Sequence, residues 1–569
     1  MNDILWLTMR RIRLPLILLL LVFGVSMFGM MLIPGQDAEG NVYYLNFLEA
    51  AYFVAFMSTT IGFGEIPYAF THAQRLFVFS VIYLNVGIWL YAAGTILGLF
   101  LDENFRGVLM RARFTRHIKW LGDSFYIVCG VGDTGEQIVN GLDSRKLDVT
   151  MIEIKPDRVQ HLLLKPTFGK YPILAANAGE MDILLSAGLG KSNCLGVITT
   201  TNDDHVNLKI AITSKLLNSS LKVLARSESK VAADNMASFG TDYVIDPYDI
   251  FAGRLELAIN SPVKYLVQDW LVAVPGTQLR SQLNPPAGPW VICGLGRFGS
   301  KIARRFKQAG VDFVVVDVRE DRLDEYPDSV HGRGTEAHTL KAAGIHEAAG
   351  IIAGTGDDVD NLSIIMTARD MNPDLFVIGR QEQSSNQALF DSLEADLVAR
   401  RSHIVARWVL AQVTTPLLRP FLEYMLHSKD AWAKRLQHRL EAVLKGYAPN
   451  LWLVDISGQD AEGLTICQRF DIEVSLAVLT HNTRFNDDEE LACVCLVVER
   501  GSQRIFLPNN EFTLKHGDRL LFAGRSSARR EIFWTLSDPN RLLGYASGIS
   551  LPRGAIWRWW YKRRQQKNS

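Results

Sequence analysis

Two glycine-rich turns in the chain repeat the spacing G-x-G-x-x-G, and each is followed by an acid that closes the next apolar strand. The residues are Gly130, Gly132, Gly135 and Glu153 in the first copy, and Gly294, Gly296, Gly299 and Asp317 in the second. Such glycines let a pyrophosphate approach a helix N-terminus, while the acid accepts hydrogen bonds from ribose hydroxyls. The pattern predicts sites for NAD or a related adenine nucleotide. For either copy, the alternative is that the glycines serve only the fold.

A second kind of chemistry is predicted by the stretch STTIGFGE at residues 58–65. Gly62 and Gly64 can adopt positive φ, and their alternation with Ile61 and Phe63 can turn successive carbonyl oxygens to one side. A ring of such carbonyls replaces the water shell of a potassium ion. The stretch therefore predicts a path for K+ as a permeant ion. A glycine-rich turn in a helical hairpin anchor is the alternative.

Two long apolar runs flank this stretch. Residues 14–33 carry no charge and are long enough to span a hydrocarbon core of about 30 Å, and residues 76–101 form a second such run. Lys and Arg cluster before the first run and after the second, whereas residues 34–72 contain neither. The positive-inside rule therefore predicts a multi-pass protein of a cell inner membrane or plasma membrane, with both termini cytoplasmic. A signal peptide is disfavoured because no small-residue cleavage site follows.

Residues 46–58, NFLEAAYFVAFMS, are apolar but too short to cross a membrane. A re-entrant segment is tolerated only where its backbone is buried in protein or lines a water-filled path, because exposed backbone polar groups in lipid cost several kcal/mol each. The segment is therefore predicted to be a re-entrant helix that delivers the following glycines to a pore.

The stretch TTIGFGE resembles the TTVGYGD signature of potassium-channel selectivity filters. The residues that this resemblance makes ion-conducting are Thr60, Ile61, Gly62, Phe63 and Gly64. Because one chain supplies one strand of the filter, the resemblance also implies a homotetramer with cyclic symmetry. Phe63 and Glu65 depart from the signature, and the missing tyrosine hydroxyl bears on the rigidity and inactivation of the filter.

Gly87 and Gly94 lie within the second apolar run and are candidate gating hinges, since glycine weakens a helix and tolerates bending. Small residues that allow tight helix packing in the membrane are an equal alternative. No segment carries arginines at every third position, so no voltage sensor of that kind is predicted. A cytoplasmic signal is therefore expected to drive the gate.

The similarity between the two cytoplasmic copies extends beyond their glycine turns. LGVITTTNDDHVNL at 195–208 aligns with GIIAGTGDDVDNL at 350–362, and the strand ending at Arg226 aligns with the one ending at Arg380. Alternating apolar strands and helical stretches predict parallel, doubly wound sheets that bind ligands at the carboxyl ends of the strands. This arrangement resembles the RCK domains (regulators of potassium conductance) of prokaryotic two-transmembrane potassium channels, over nearly all of residues 122–535.

The predicted fold is a membrane α-helical pore domain, with two transmembrane helices and a re-entrant pore helix, followed by two α/β Rossmann-like RCK domains and a small α+β C-terminal lobe. The expected boundaries are 1–105 for the pore domain, 106–121 for a linker, 122–286 for the first RCK domain, 287–446 for the second Rossmann lobe with its crossover helix, 447–537 for the C-terminal lobe and 538–569 for a basic aromatic tail. The segment between the copies is too short for another C-terminal lobe, so a ligand site that needs this lobe occurs once per subunit.

Carboxylates near the predicted strand ends could bind calcium, which takes six to eight oxygen ligands. They are Asp203, Asp204, Asp357, Asp358 and Asp360. Helix caps and solvated loops explain these residues as well, and no EF-hand spacing occurs. The metal therefore stays unknown at this stage.

Charge and cysteine content exclude several classes of protein. Lys plus Arg and Asp plus Glu each number 60, which argues against a nucleic-acid-binding protein. The six cysteines form no C-x-x-C pair, which argues against a zinc ribbon or a disulfide scaffold. The predicted function is a ligand-gated, tetrameric potassium channel that is not an enzyme. A membrane-anchored NAD-dependent oxidoreductase is the alternative, because two dinucleotide fingerprints are present.

Overall fold

The computed structural model describes residues 2–62, 68–279, 282–457, 461–469, 472–481 and 490–547. The chain divides into two compact units, Met1–Leu121 and Gly122–Ser569. The predicted filter residues Phe63 and Gly64, and most of the predicted basic aromatic tail, lie outside the described residues.

The first unit contains the two predicted membrane helices and the re-entrant helix between them. Its elements are α1 (Asn2–Leu32), β1 (Gly35–Gln36), β2 (Val42–Tyr43), α2 (Phe47–Ser58), α3 (His72–Leu101) and α4 (Glu103–Trp120). Within α1 and α3, Ile12–Leu32 and His72–Gly98 are long and apolar enough to cross a membrane. The segment expected to be a linker, 106–121, forms most of the helix α4.

The short helix α2 begins at a capping box. The Asn46 side chain accepts a hydrogen bond from the Glu49 backbone N–H, and the Glu49 carboxylate accepts one from the Asn46 N–H. Tyr43 also donates its hydroxyl proton to Glu49, at 2.6 Å. The apolar face of α2, which includes Phe53 and Val54, is buried against α1 and α3. These contacts fix where the chain after α2 must begin.

The first lobe of the second unit is a six-stranded parallel sheet with strand order β5-β4-β3-β6-β7-β8. Its strands are β3 (Phe125–Cys129), β4 (Asp148–Glu153), β5 (Ile173–Ala175), β6 (Cys194–Thr199), β7 (Lys222–Arg226) and β8 (Tyr243–Ile245). Its helices are α5 (Asp133–Asp143), α6 (Pro156–Leu163), α7 (Pro166–Gly169), α8 (Met181–Ser186), α9 (Asp204–Leu217), α10 (Lys230–Ser238) and α11 (Pro247–Asn260), and α12 (Pro262–Val272) follows.

The second lobe repeats this topology, with strand order β11-β10-β9-β12-β13-β14. Its strands are β9 (Trp290–Cys293), β10 (Phe313–Asp317), β11 (Ser329–His331), β12 (Gly350–Ala353), β13 (Phe376–Gln381) and β14 (Leu397–Arg400). Its helices are α13 (Arg297–Ala309), α14 (Ala337–Ala342), α15 (Asp358–Met371), α16 (Gln387–Ser392) and α17 (Arg401–Thr414), with 3-10 turns at Glu320–Arg322 and Ser384–Asn386. The two doubly wound sheets confirm the predicted fold class.

The C-terminal lobe follows a helical hairpin made of α18 (Leu418–His427) and α19 (Asp430–Leu444). Its strands form an antiparallel sheet in the order β15-β18-β16-β17. The elements are β15 (Asn450–Asp455), α20 (Glu462–Arg469), α21 (Leu476–Thr480), β16 (Cys493–Arg500), β17 (Gln503–Phe506), β18 (Arg519–Gly524), α22 (Ser526–Ser537) and α23 (Pro539–Ser547).

The two Rossmann lobes exchange their last helices. Helix α11 of the first lobe packs on α13 of the second, where Tyr248, Phe251 and Leu255 share a core with Phe298. Helix α17 of the second lobe packs in the same way on α5 of the first. The lobes are therefore joined through their cores, and each glycine turn lies beside residues of the other copy.

Candidate nucleotide sites and ion path

Both glycine turns have the backbone geometry of a dinucleotide fingerprint. The first glycine has φ of +87° at Gly130 and +92° at Gly294, a region that residues with a Cβ rarely adopt. The second glycine, Gly132 or Gly296, is the N-cap of the following helix, and a Cβ there would meet no described atom within 4 Å. The open space over this N-terminus is where a pyrophosphate would approach.

The third glycine of each turn packs against the first. A Cβ at Gly135 would lie 2.3 Å from the carbonyl oxygen of Gly130, and one at Gly299 would lie 1.9 Å from that of Gly294. These contacts bring the helix and the strand together. The third glycine of each turn is therefore required for close packing, whereas the second is required for open space above the helix N-terminus.

Gly299→Ala is expected to destabilise the second lobe by about 1 to 3 kcal/mol, because its methyl group has no space beside the Gly294 carbonyl. Gly296→Ala is the matched control, since its methyl group would enter open space. It should leave the denaturation midpoint near the parental value while it weakens nucleotide binding. Equal midpoints for the two variants would contradict this division of roles.

The predicted ribose-binding acids are buried at the turns. Glu153 accepts hydrogen bonds from the backbone N–H groups of Val131 at 2.7 Å and Lys155 at 3.1 Å. Asp317 does the same, and its partners are the N–H groups of Leu295 at 2.5 Å and Arg319 at 2.9 Å. Each carboxylate thus holds its own turn in place. Because a carboxylate has about four acceptor sites, it can still accept from a ribose hydroxyl.

An exposed apolar side chain directly follows each acid. Ile154 is 63% exposed and Val318 is 55% exposed. Such side chains, next to a ribose-binding carboxylate, offer a surface on which an adenine ring can pack. The two copies therefore agree in their glycines, in their acid and in this apolar neighbour.

The copies differ in charge at the helix start. In the first, Asp133 opens α5 and accepts a hydrogen bond from Ser384 of the second copy at 2.6 Å. Burial alone would raise the pKa of Asp133, but this hydrogen bond and the charge of Arg158 outweigh it and lower the pKa. Arg158 also pairs with Glu136, at 2.9 Å. Glu136 in turn pairs with Lys165, at 2.8 Å. A pyrophosphate at this turn would therefore meet two carboxylates that are already paired with cations.

The second copy has no acid at the corresponding positions. Arg297 takes the position of Asp133, Ser300 that of Glu136 and Arg322 that of Arg158. Arg322 donates a hydrogen bond to the carbonyl oxygen of Leu295 at 3.2 Å, and the Arg297 side chain is 60% exposed. The second turn therefore carries the more positive charge of the two, which would favour an anionic ligand there.

Arg297 also connects the second turn to the first lobe. Its Nη1 lies 2.6 Å from Oε2 of Glu228, a buried residue that also pairs with Arg226 and Arg401. Burial alone would raise the pKa of Glu228, but Arg226, Arg401 and Arg297 lower it. The repeated Arg-x-Glu after β7 and β13 was the sequence signal for this cluster, and sequence reasoning missed it.

Four of the five candidate calcium ligands instead accept hydrogen bonds from backbone N–H groups. Asp203 and Asp357 are the N-caps of α9 and α15. Asp204 accepts from the N–H groups of residues 228 and 229, and Asp358 accepts from those of residues 382 and 383. Asp360 lies in the first turn of α15. Within the described part of the chain, no group of three or more His, Cys, Asp or Glu side chains could hold a metal ion.

The described part of the predicted ion path begins where α2 ends. Thr60 and Gly62 have φ of +62° and +66°, with Ile61 between them at negative φ. The N–H groups of residues 60–62 donate back to carbonyls of α2, those of Phe56 and Met57. No described residue donates a hydrogen bond to the carbonyl oxygens of residues 60–62.

The two candidate hinges lie inside the continuous helix α3. No described atom lies within 4 Å of a Cβ placed at Gly87 or Gly94. Close packing against the described residues therefore does not account for either glycine.

Comparisons with known proteins agree with this division of the chain. A family model described as a TrkA-N domain matches residues 126–247 and 290–400. A model described as an ion channel matches residues 16–101. Both RCK lobes and the pore unit are thus matched separately.

Similar proteins include two from Methanocaldococcus jannaschii. Potassium channel protein 1 is 27% identical over 254 residues, which cover 44% of this chain and 70% of that protein. Probable potassium channel protein 2 is 29% identical over 113 residues, or 19% of this chain and 33% of that protein. Among solved structures, the GsuK Channel covers 94% of this chain and 99% of its own, with 17% identity and a TM-score of 0.48.

The family matches fall within both structural units, and these curated relatives are named as potassium channels. Neither the two family models nor these relatives favour a membrane-anchored oxidoreductase. The chain belongs to the potassium channels that carry TrkA-N (RCK) domains.

Proposed function

We propose that this channel is a homotetramer with cytoplasmic termini and that K+ passes through a filter formed by residues 60–64. NAD or a related adenine nucleotide gates this channel by binding to the second RCK copy. The observation that carries the proposal is the charge difference between two otherwise equivalent turns. Arg297 and Ser300 stand where the first copy has Asp133 and Glu136. A dinucleotide carries its negative charge on the pyrophosphate, which the second turn complements.

Binding at this turn has a route to the rest of the cytoplasmic unit. A pyrophosphate at the N-terminus of α13 competes with Glu228 for the Arg297 guanidinium, since both acceptors are anionic. Glu228 belongs to the first lobe, so ligand occupancy changes a contact between the lobes. A ligand shifts a gating equilibrium only through different affinities for the two states, and this exchange of partners supplies such a difference.

Calcium is not part of the proposal, because four of the five candidate carboxylates already accept hydrogen bonds from loop and helix N–H groups. The first copy is proposed to be structural, with Asp133 and Ser384 joining its turn to the second lobe. Gly87 and Gly94 are proposed as the positions where α3 bends on gating.

Ion flux into liposomes containing the purified full chain tests the proposal. K+ uptake is expected to exceed Na+ uptake, and NAD should change the K+ rate. NADP is the matched control, because the Asp317 carboxylate would repel its 2′-phosphate. Flux that does not respond to NAD, or that responds equally to NADP, would contradict nucleotide gating at this site. Equal K+ and Na+ uptake would contradict the proposed filter.

A further inference from the structure

A buried polar cluster joins the three helices of the pore unit. Ser26 of α1, Ser58 of α2 and Asn85 of α3 are each at most 1% exposed. Asn85 Nδ2 donates hydrogen bonds to Ser26 Oγ at 2.7 Å and to the Val81 carbonyl at 2.9 Å. Ser58 Oγ donates to Asn85 Oδ1 at 3.4 Å. The amide of Asn85 therefore contacts both other helices through different atoms.

This cluster places three buried polar side chains in helices that are otherwise largely apolar. Buried polar groups are rare in membrane-spanning segments and tend to mark functional positions. Hydrogen bonds between membrane helices contribute only modestly to stability, and apolar residues of similar size would pack here as well. The Asn85 amide adds directional hydrogen bonds, since its donor contacts α1 and its acceptor contacts α2. Together these bonds fix the rotation of α3 and its position along its own axis.

The cluster lies directly next to the start of the proposed filter. Ser58 is the last residue of α2, and Thr59 donates its hydroxyl proton to the Ala55 carbonyl of the same helix, at 2.8 Å. The N–H of Ile61 donates to the Phe56 carbonyl, at 3.1 Å. The filter start is thus attached to the last turn of α2, whose terminal residue is attached to α3 through Asn85.

The candidate hinge Gly87 follows Asn85 closely on the same helix. A bend or rotation of α3 at this glycine moves Asn85 relative to α2. At 3.4 Å, the Ser58 hydrogen bond is the longest of the cluster, so a small movement of Asn85 takes it beyond hydrogen-bond distance.

We propose that Asn85 is a positioning residue for the filter, which holds the end of the pore helix in register with the inner helix and connects movement of the inner helix to filter selectivity. This inference rests on the proposed assignment of the ion path. It adds a residue that does not touch the permeant ion and acts through Ser58.

Bi-ionic potentials of the reconstituted full chain test this role. Asn85→Leu and Ser58→Ala are each expected to lower the K+ over Na+ permeability ratio about tenfold. The double variant should be no worse than Asn85→Leu alone, because both changes remove the same contact. Ser26→Ala should have the smaller effect, since it leaves the bond between Ser58 and Asn85 in place. Ser80→Ala is the matched control, because its hydroxyl donates only within α3, to the Leu76 carbonyl.

The outcomes separate this inference from the assignment of the ion path. Parental ratios in both Asn85→Leu and Ser58→Ala, or additive losses in the double variant, would overturn the role of Asn85 alone. If Asn85→Leu does not assemble, Ser58→Ala decides, since it removes one hydroxyl group only. A parent chain without K+ selectivity would overturn the ion path and this inference together.

Discussion

Gly62→Ala is expected to abolish K+ conduction or K+ selectivity while the protein still assembles. Gly62 has φ of +66°, and no described atom lies within 4 Å of a Cβ placed there, so the obstacle is backbone conformation rather than space. An L-residue in this left-handed region costs roughly 1 to 2 kcal/mol. In the proposed homotetramer this cost applies to every strand of the filter.

The loss of conduction follows from where the carbonyls then point. With alanine, the backbone relieves its strain by returning to negative φ, which rotates the neighbouring peptide group away from the ion path. One lost oxygen ring leaves K+ with fewer ligands than its water shell provided, so entry into the filter becomes unfavourable.

Gly24→Ala is the matched control for this experiment. Gly24 lies in α1, and no described atom lies within 4 Å of a Cβ placed there either. It has no positive φ, so its variant should conduct like the parent. Flux assays with both variants at equal protein content make the comparison. Normal selectivity in Gly62→Ala would remove Gly62 from the filter.

The fold could be predicted from the sequence because each element carries its own local signal. Apolar runs of membrane-spanning length, the glycine turns and their acids are all readable within a few tens of residues. The exchange of α11 and α17 between the lobes was not predicted, since hydrophobic periodicity shows that a helix has an apolar face without showing which partner covers it. The pairing of Arg297 with Glu228 depends on that exchange.

In the candidate sites as well, features within one short segment could be predicted from the sequence, whereas contacts between distant segments could not. The difference between Asp133 and Arg297 could have been found by aligning the two copies, as they occupy one position of the fingerprint. The carboxylates considered for calcium were ambiguous, because an acid at a helix start serves equally as an N-cap. Ser58 and Asn85 gave no signal in the sequence, since their contact depends on how α2 lies against α3.

Asp317→Ala is expected to weaken nucleotide binding about ten- to a hundredfold, whereas Glu153→Ala should leave the affinity nearly unchanged. The magnitude corresponds to the loss of hydrogen bonds to a charged acceptor, about 1.5 to 3 kcal/mol. The difference between the variants comes from the helix starts, where Arg297 attracts the pyrophosphate of the second copy and Asp133 repels that of the first.

These two variants are controls for each other. Each acid accepts two backbone hydrogen bonds within its own turn, so each alanine leaves an equivalent pair of N–H groups without a partner. Both variants therefore loosen their own turn to a similar extent. A difference in NAD affinity between them then shows which of the two acids contacts the ligand. Calorimetric titration with NAD measures the affinity, and single-channel recording measures whether the open probability changes in parallel.

Exchanging the charges at the helix starts sharpens the test. Arg297→Asp should weaken binding further, because it replaces the attracting cation by a repelling anion and also removes one of the three arginines paired with Glu228. Asp133→Arg should allow binding at the first copy, so the number of bound nucleotides per chain rises.

If Glu153→Ala loses as much affinity as Asp317→Ala, the first copy is occupied too. If the double variant of Glu153 and Asp317 binds NAD and gates like the parent, both turns serve only the fold.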